Sequence, residues 1–228
     1  MNGLVLVDKP KGISSFGVVS RIRGTIKAHT GQKLKVGHSG TLDPAATGLL
    51  VIAIGKYTKR IPELIKQDKT YQVEMILGQI STTGDIEGQI SKKSDSAPSL
   101  KSLKDTLTSF EGDIMQTPPI YSAIKINGQR AYKLAREGKE VKMVPRPAHI
   151  NSISLVDYNY PKVSFLADVA SGTYIRSLVE DIGKNLNTGA YMSELRRTIV
   201  GNFDINIAMN LNDLNYSKIE KALFTLES

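Results

Sequence analysis

The sequence predicts an α+β fold in which a mixed, mostly antiparallel sheet is flanked by helices. Segments typical of strands and helices follow one another without the regular alternation that a parallel sheet requires. The 228 residues are 40% apolar and 23% charged, which is ordinary for a globular protein with its own core. Neither an internal repeat nor a long linker interrupts the chain, so residues 1–228 are expected to form a single domain.

The first quarter of the chain predicts two strands that enclose a helix and a polar loop. Residues 3–7 form a short apolar strand that a Lys-Pro-Lys-Gly turn ends, and Ser14 and Ser15 are typical helix N-caps. Apolar residues at intervals of four then mark the buried side of a helix: Val18, Ile22 and Ile26. Residues 31–44 form a polar loop with glycines, and the apolar run 49–54 predicts a central strand.

Strands and helices also mix in the rest of the chain. Residues 70–77 alternate as in a half-buried strand, and a loop over residues 91–99 precedes a helix with an apolar stripe. The further elements expected are a strand over 120–126, an Asn127-Gly128 turn, a short helix around 131–137, an antiparallel pair over 153–156 and 163–169, and a helix opened by Gly172 and ended by Gly183.

The basic excess lies in one part of the chain. The net charge is +8, from 30 basic and 22 acidic residues with histidine neutral. Residues 1–60 contain ten Lys or Arg and two acids, Asp8 and Asp43, whereas residues 61–228 contain twenty of each sign. Such a patch favours a polyanionic partner, through phosphate attraction and counterion release. A solvated face that aids solubility also explains the charge, so composition leaves both explanations open.

Several kinds of chemistry lose support. Because the chain has no cysteine, it cannot form disulfides, thiolate metal sites or a cysteine nucleophile. Walker A, zincin and nucleophile-elbow motifs are absent, and no dinucleotide-binding glycine motif follows a strand. The three histidines lie far apart in the sequence, so no metal and no cofactor is expected. Without a signal peptide or an apolar run long enough to span a bilayer, the expected location is the cytoplasm.

The loop before the strand at 49–54 is the most informative segment. Asp43 lies there in a strongly basic region, and a carboxylate that stays ionised among cations suits a nucleophile or an electrostatic stabiliser. An Asp-Pro turn that caps local backbone explains the same residue. Arg176 could reach a carboxylate such as Asp43, or pair with Glu180 on its own helix. Tyr71 by itself is typical of a core tyrosine.

Taken together, these segments resemble the TruB-type tRNA pseudouridine synthases, and the matches follow one another along nearly the whole chain. The longest is the fourteen-residue segment 37–50, GHSGTLDPAATGLL. The others are 8–15 (DKPKGISS), 69–73 (KTYQV), 77–78 (LG), 82–88 (TTGDIEG), 117–125 (TPPIYSAIK), 172–178 (GTYIRSL) and 195–197 (LRR).

The resemblance implies a pseudouridine synthase fold and the isomerisation of a tRNA uridine, at position 55 of the T-loop, without a cofactor. Asp43 matches the catalytic aspartate, which acts at the ribose C1′ or assists glycosidic cleavage, through a covalent adduct or a glycal. Tyr71 matches the tyrosine that stacks on the flipped uracil and is a candidate proton acceptor. Arg176 matches the arginine paired with the catalytic aspartate. The remaining matches to substrate-binding positions are His38, which fills the gap left by flipped bases, Tyr174, Leu195, Lys9 and Lys125.

The resemblance also implies how the protein meets its partner. A monomer is expected to bind the T-arm of tRNA without a metal or a membrane, and residues 117–145 resemble the family's flexible RNA-gripping insertion. Bacterial members usually carry a small C-terminal RNA-binding domain, which this chain is expected to lack, either naturally or by truncation. A non-catalytic RNA-binding protein or tRNA folding chaperone is the alternative, because it could use the same basic surface.

Overall fold

The structure is a computed structural model that describes residues 1–122, 124–126, 128–138 and 141–226. Its strands are β1 Gly3–Lys9, β2 Val36–His38, β3 Thr47–Ile54, β4 Lys69–Leu77, β5 Gln79–Ser81, β6 Ile90–Lys92, β7 Gly112–Gln116, β8 Lys125–Ile126, β9 Gln129–Arg130, β10 Arg146–Asn159, β11 Lys162–Val169, β12 Ala190–Val200, β13 Phe203–Asp204 and β14 Met209–Asn210. Its α-helices are α1 Ser15–Thr30, α2 Ile61–Ile65, α3 Leu100–Ser109, α4 Ala131–Arg136, α5 Ile175–Asn185 and α6 Tyr216–Ala222.

The chain folds into two compact units. Unit 1 contains Met1–Gln72 and Leu195–Ser228, and unit 2 contains Val73–Glu194. In unit 1, β1 pairs antiparallel with β3 and parallel with β14. The other edge of β3 pairs antiparallel with β2 and parallel with β12, where Arg197 lies opposite Gly48. Both orientations occur and antiparallel pairs predominate, so the predicted mixed sheet is confirmed.

Both faces of the unit 1 sheet are covered by apolar side chains, because successive residues of a strand point to opposite faces. One face buries Val5 and Val7 against α1. The other buries Leu4 and Leu6 against residues of α2 and the C-terminal segment. The helix at Ser14 is also confirmed: the Ser14 hydroxyl caps α1 by accepting from the Gly17 N–H at 3.0 Å.

Unit 2 is built on an antiparallel meander. β10 pairs with β11 on one side and with β7 on the other, so the predicted pair at 153–156 and 163–169 is confirmed and lies in longer strands. Unit 2 also contains two small hairpins, β5–β6 and β8–β9. α3 begins as predicted and packs on β10, with Leu103 and Leu107 buried, whereas Leu100 at its first turn is exposed.

Two local predictions are wrong for identifiable reasons. Residues 120–122 are not a strand, because Pro118 and Pro119 remove two backbone donors just before them and the strand is confined to β8. Gly183 does not end α5: it lies within the helix, its carbonyl accepts the Thr188 and Gly189 N–H groups, and a Cβ there would collide with the backbone of Ala190.

The predicted RNA-gripping insertion, residues 117–145, contains the β8–β9 hairpin and α4. Residues 123, 127, 139 and 140 of this segment lie outside the described residues, so its flexibility stays a prediction. No described helix combines the length and the hydropathy that crossing a bilayer requires.

Candidate active site

Asp43 lies half-buried on the loop that connects β2 to β3, residues 39–46, which we call the Asp43 loop. Two apolar residues of this loop, Leu42 and Ala46, are buried, at 3% and 2% exposed. The Ala46 N–H donates to the Asp43 carbonyl at 3.1 Å, which closes a turn over the Asp-Pro pair. The turn explanation for this aspartate is therefore confirmed for its backbone.

The start of α1 holds the middle of the Asp43 loop. The buried hydroxyl of Ser15 accepts from the Leu42 N–H at 2.8 Å and donates to the Leu42 carbonyl at 2.9 Å. The Gly12 N–H donates to the Pro44 carbonyl at 2.8 Å. The N–H and carbonyl of Leu42, and the carbonyl of Pro44, are thus all bonded to residues 12–15, where α1 begins. Paired buried polar groups of this kind hold a loop in one conformation.

Arg197 of β12 bonds the start of the Asp43 loop and the strand β3 that follows the loop. Its side chain is 1% exposed; Nε donates to the Leu49 carbonyl at 2.8 Å and Nη2 to the Gly40 carbonyl at 3.2 Å. Gly48, at φ 106°, lies opposite Arg197, and a Cβ there would collide with the Arg197 backbone. Glycine is therefore required where β3 and β12 approach each other.

Two lysines are buried close to Arg197. The Lys9 ammonium donates to the carbonyls of Ile13 at 2.8 Å, Pro10 at 3.0 Å and Pro44 at 3.4 Å. Burial lowers the pKa of Lys9 to about 8, with Asp43 opposing the shift and Arg197 adding to it. Lys69 donates to the carbonyls of Ile65 at 2.9 Å and Gln67, and burial next to Arg197 lowers its pKa to about 8 as well.

His38 precedes the Asp43 loop at the end of β2. Burial, and then the charge of Arg197, lower the pKa of the His38 imidazole, so it is neutral at pH 7. Among the residues that the structure describes, Nδ1 of His38 and Oγ of the neighbouring Ser39 are buried without a hydrogen-bond partner. A neutral ring can enter a base stack without the cost of desolvating a charge.

Tyr71 and Leu195 also lie in unit 1. Tyr71 is 8% exposed, on the same side of β4 as Lys69, as the alternation predicted. The Leu195 carbonyl accepts from the Thr47 hydroxyl at 3.4 Å, next to the Asp43 loop. Unit 1 thus contains five of the predicted site residues: Lys9, His38, Asp43, Tyr71 and Leu195.

Arg176, at the start of α5 in unit 2, forms a buried ion pair with Asp85. Nη1 of Arg176 lies 3.3 Å from Oδ2 of Asp85, and the side chains are 10% and 6% exposed. The Arg176 guanidinium also donates to the carbonyls of Tyr121 at 2.8 Å and Thr83 at 3.4 Å. The Asp85 carboxylate accepts from the Thr83 hydroxyl at 2.5 Å and the Glu87 N–H at 3.0 Å. The Asp85 carboxylate is thus held by its own loop on one side and by Arg176 on the other.

Within unit 2, Arg176 forms its ion pair with Asp85. The sequence had suggested a pair with Glu180, four residues along the same helix. Glu180 lies close to both Arg176 and Asp85, and burial raises the pKa of its carboxyl. Asp43 and Arg176 belong to different units, so their pairing stays a prediction.

Tyr174 and Lys125 are the remaining predicted site residues. The backbone of Tyr174, just before α5, is held by Gln116: its N–H donates to Oε1 at 2.7 Å, and its carbonyl accepts from Nε2 at 3.0 Å. Lys125 is in β8, and its side chain lies outside the described residues. Within the described residues, no cluster of His, Asp or Glu has the arrangement of a metal site.

Four residues with notable buried contacts were not predicted as site residues: Ser15, Lys69, Asp85 and Arg197. A lysine in the buried phase of an alternating strand, two residues before Tyr71, could have indicated Lys69. Ser15, Asp85 and Arg197 are within segments that matched the family, but no pattern distinguishes them there. Ser15 and Arg197 hold the backbone of the Asp43 loop, and Lys9 lies close enough to interact with the Asp43 charge. A carboxylate on a loop held in this way suits attack on or stabilisation of a cationic sugar carbon.

The free energy of unfolding is expected to rise with pH between about 8 and 10.5. The folded protein releases the Lys9 and Lys69 protons near pH 8, whereas the unfolded chain holds them to about 10.5. Because the unfolded state binds more protons in this window, stability increases with pH there. Urea unfolding at pH 7.5, 9 and 10 should show a smaller rise for Lys69→Met than for wild type. The exposed neighbour supplies the control Lys66→Met, and an equal rise in all three proteins would contradict the assignment.

Comparison with known proteins yields consistent matches over the whole chain. A profile described as "TruB family pseudouridylate synthase (N terminal domain)" matches residues 27–175, and another described as "tRNA pseudouridylate synthase B C-terminal domain" matches residues 176–225. The chain is 43% identical to tRNA pseudouridine synthase B of Clostridium tetani over 228 residues, covering 100% of this chain and 77% of that protein.

A second relative, named tRNA pseudouridine synthase B, comes from Endomicrobium trichonymphae. It is 40% identical over 228 residues, covering 99% of this chain and 97% of that protein. Among solved structures, a chain in the "Crystal Structure of a Cbf5-Nop10-Gar1 Complex" superposes with a TM-score of 0.73 and 31% identity. That match covers 96% of this chain, which spans 55% of the solved chain.

Proposed function

Because the chain belongs to the TruB family of pseudouridine synthases, we propose that it isomerises uridine to pseudouridine in tRNA, at position 55 of the T-loop. The observation that carries the proposal is the anchoring of Asp43. Its loop is bonded at Leu42 by Ser15 and at Gly40 by Arg197, which also bonds Leu49 of β3, so the backbone that carries the carboxylate is held on both sides. Such preorganisation is the protein's main contribution to a reaction that needs no cofactor.

The reaction exchanges one bond of the uridine for another. The bond from C1′ to N1 breaks, the uracil turns, C1′ bonds to C5, the C5 proton leaves and N1 gains a proton, so atoms balance without a co-reactant. The uridine must first leave its stack, which costs a few kcal/mol. Stacking on Tyr71 recovers about 1–3 kcal/mol. In this proposal Asp43 acts at C1′, Tyr71 is a candidate acceptor of the C5 proton, and neutral His38 fills the space that the flipped bases leave.

Arg176 of unit 2 completes the proposed site by pairing with Asp43 in the active protein, while Asp85 holds the guanidinium in place. Tyr174, Leu195 and Lys125 contact the substrate, whereas Lys9, which is buried and donates to the carbonyls of Pro10, Ile13 and Pro44, acts through the turn beside Asp43. In this proposal residues 1–228 form one catalytic domain that acts as a monomer in the cytoplasm, and residues 117–145 grip the T-arm. These assignments rest on the resemblance to the family's motifs.

Tritium release tests the proposal directly. A tRNA transcript labelled with tritium at C5 of uridine should lose label to water in proportion to the tRNA added. A transcript with cytidine in place of the T-loop uridine should lose none. If wild-type protein binds the tRNA at low salt and releases no tritium, the enzymatic assignment is wrong. Release that persists in the cytidine transcript would overturn the position while retaining the activity.

A further inference from the structure

The solvent side of α1 carries an aromatic ring beneath an arginine. Phe16 is 64% exposed, and the guanidinium carbon of Arg23 lies 5.9 Å from the centre of its ring. Arg23 is seven residues, about two helical turns, beyond Phe16, and Lys27 follows after four more, so the three side chains lie along one stripe. None of them is needed for the buried side of α1, which is formed by other residues.

The charge of this surface has one sign. No acidic residue occurs between Asp8 and Asp43. α1 itself carries only basic charges, and those of its solvent side are exposed: Arg21, Arg23 and Lys27. A helix face that is cationic throughout and carries an exposed aromatic ring is complementary to single-stranded nucleic acid, in which phosphates alternate with stacking bases.

The stripe begins at the Asp43 loop. Ser15, whose hydroxyl bonds both backbone groups of Leu42, is the residue immediately before Phe16. From Phe16 to Lys27 the helix rises about 16 Å. An RNA strand that leaves a uridine at Asp43 therefore meets Phe16 first and the two cations next.

A groove borders the same stripe. Its volume is about 400 Å³, which is within the size range of small-molecule sites. The lining is largely polar and comes from α1 and the turn after β14: Ser20, Arg21, Gly24, Thr25, Leu211, Asn212 and Leu214. At Gly24 no atom lies within 4 Å of where a Cβ would be, so the helix surface is open to a ligand there.

We propose that the solvent side of α1 is a second RNA-binding surface, on which an unpaired nucleotide next to the target uridine stacks on Phe16 while its neighbouring phosphates bind Arg23 and Lys27. The inference rests on the proposed function for the identity of the RNA, and it adds a contact outside the residues assigned to the reaction. The contact of Arg23 with the ring weakly favours one orientation of Phe16.

Affinity measurements with unmodified tRNA test the surface. Phe16→Ala should weaken binding by about 5- to 100-fold, the range found for a base–aromatic stack, and Phe16→Tyr should retain most of it. Arg23→Gln should lower the slope of log K against log salt by about one. Ile207→Ala is the matched control: Ile207 is 74% exposed, and its neighbours Ile205 and Ala208 pack on the other face of the unit 1 sheet.

Fluorescence gives a second readout, because the chain contains no tryptophan. Phe16→Trp places a single fluorophore on the stripe, and stacking of a base on it should quench its emission when tRNA is added. Ile207→Trp should show no such change. If Phe16→Ala binds tRNA like Ile207→Ala, and Phe16→Trp is not quenched, the second surface is wrong.

Tritium release by wild-type protein, measured in parallel, separates the two proposals. Release without any effect of Phe16 on affinity would overturn the α1 surface and retain the enzyme. Binding that depends on Phe16, without release, would support the surface and overturn the enzymatic assignment.

Discussion

Replacement of Asp43 by asparagine is expected to abolish pseudouridine formation while tRNA binding persists. The amide keeps the size of the side chain and the backbone turn that the Ala46 N–H closes, but it cannot act as a nucleophile or stabilise a cationic C1′. In a serine protease, loss of one catalytic group lowers turnover by about 10⁴-fold or more, and we expect a loss of at least this order here. Tritium release in single-turnover reactions, with enzyme in excess over tRNA, would measure the change in the chemical step.

Asp213→Asn is the matched control for this change. Asp213 is an exposed carboxylate of the same unit that pairs with Lys218 at 3.3 Å. Its replacement changes the net charge by the same amount as Asp43→Asn and removes only a surface ion pair. Turnover by Asp213→Asn should equal that of wild type. Full activity in Asp43→Asn would show that this carboxylate belongs to the Asp-Pro turn alone.

The same variant separates an enzyme from an RNA folding chaperone. A protein that only binds RNA has no use for an ionised carboxylate within a basic surface, where it repels phosphates. In that case Asp43→Asn and wild type would refold tRNA equally well, and neither would release tritium. Loss of release confined to Asp43→Asn, with affinity within a few-fold of wild type, is the result expected of the synthase.

The sequence predicted the regular elements of unit 1 better than the contacts that make the site. The cap at Ser14, the four-residue periodicity of α1 and the apolar run in β3 are local signals, and each appears in the structure. The β5–β6 hairpin and the strand β9 were missed because strands of two or three residues carry no usable periodicity.

Contacts between distant segments were not predictable for a different reason. Arg176 and Asp85 are 91 positions apart, and Ser15 and Leu42 are 27 apart, so no spacing rule connects them. The dipeptide Arg196-Arg197 shows the limit most clearly. Alternation along a strand predicts that the two side chains point to opposite sides, but only the register of β12 against β3 decides which is buried.

Replacement of Arg197 by methionine is expected to destabilise unit 1 by about 2–6 kcal/mol and to lower activity. Methionine fills much of the same volume, so the change chiefly removes the donors to the carbonyls of Gly40 and Leu49. Each buried carbonyl left without a partner costs about 1–3 kcal/mol. Removing a buried cation relieves repulsion with Lys9 and Lys69, which offsets part of this cost.

The adjacent residue supplies the control. Arg196 pairs with Asp8 through two hydrogen bonds, at 2.7 and 3.1 Å, but the two side chains are 39% and 31% exposed. Arg196→Met should therefore cost about 1 kcal/mol or less in the free energy of unfolding measured with urea. Equal destabilisation by both variants would mean that Arg197 does not anchor the Asp43 loop.

Arg197→Lys distinguishes a loss of anchoring from a loss of charge. Lysine keeps the positive charge near His38 and Lys69, but one ammonium cannot reproduce the two directed bonds of a guanidinium fork to the carbonyls of Gly40 and Leu49. If anchoring sets the position of Asp43, Arg197→Lys should lower single-turnover rates nearly as much as Arg197→Met, even in conditions where both variants are fully folded. If charge alone matters, lysine should restore the rate, and the two bonds would then contribute to stability without positioning the carboxylate.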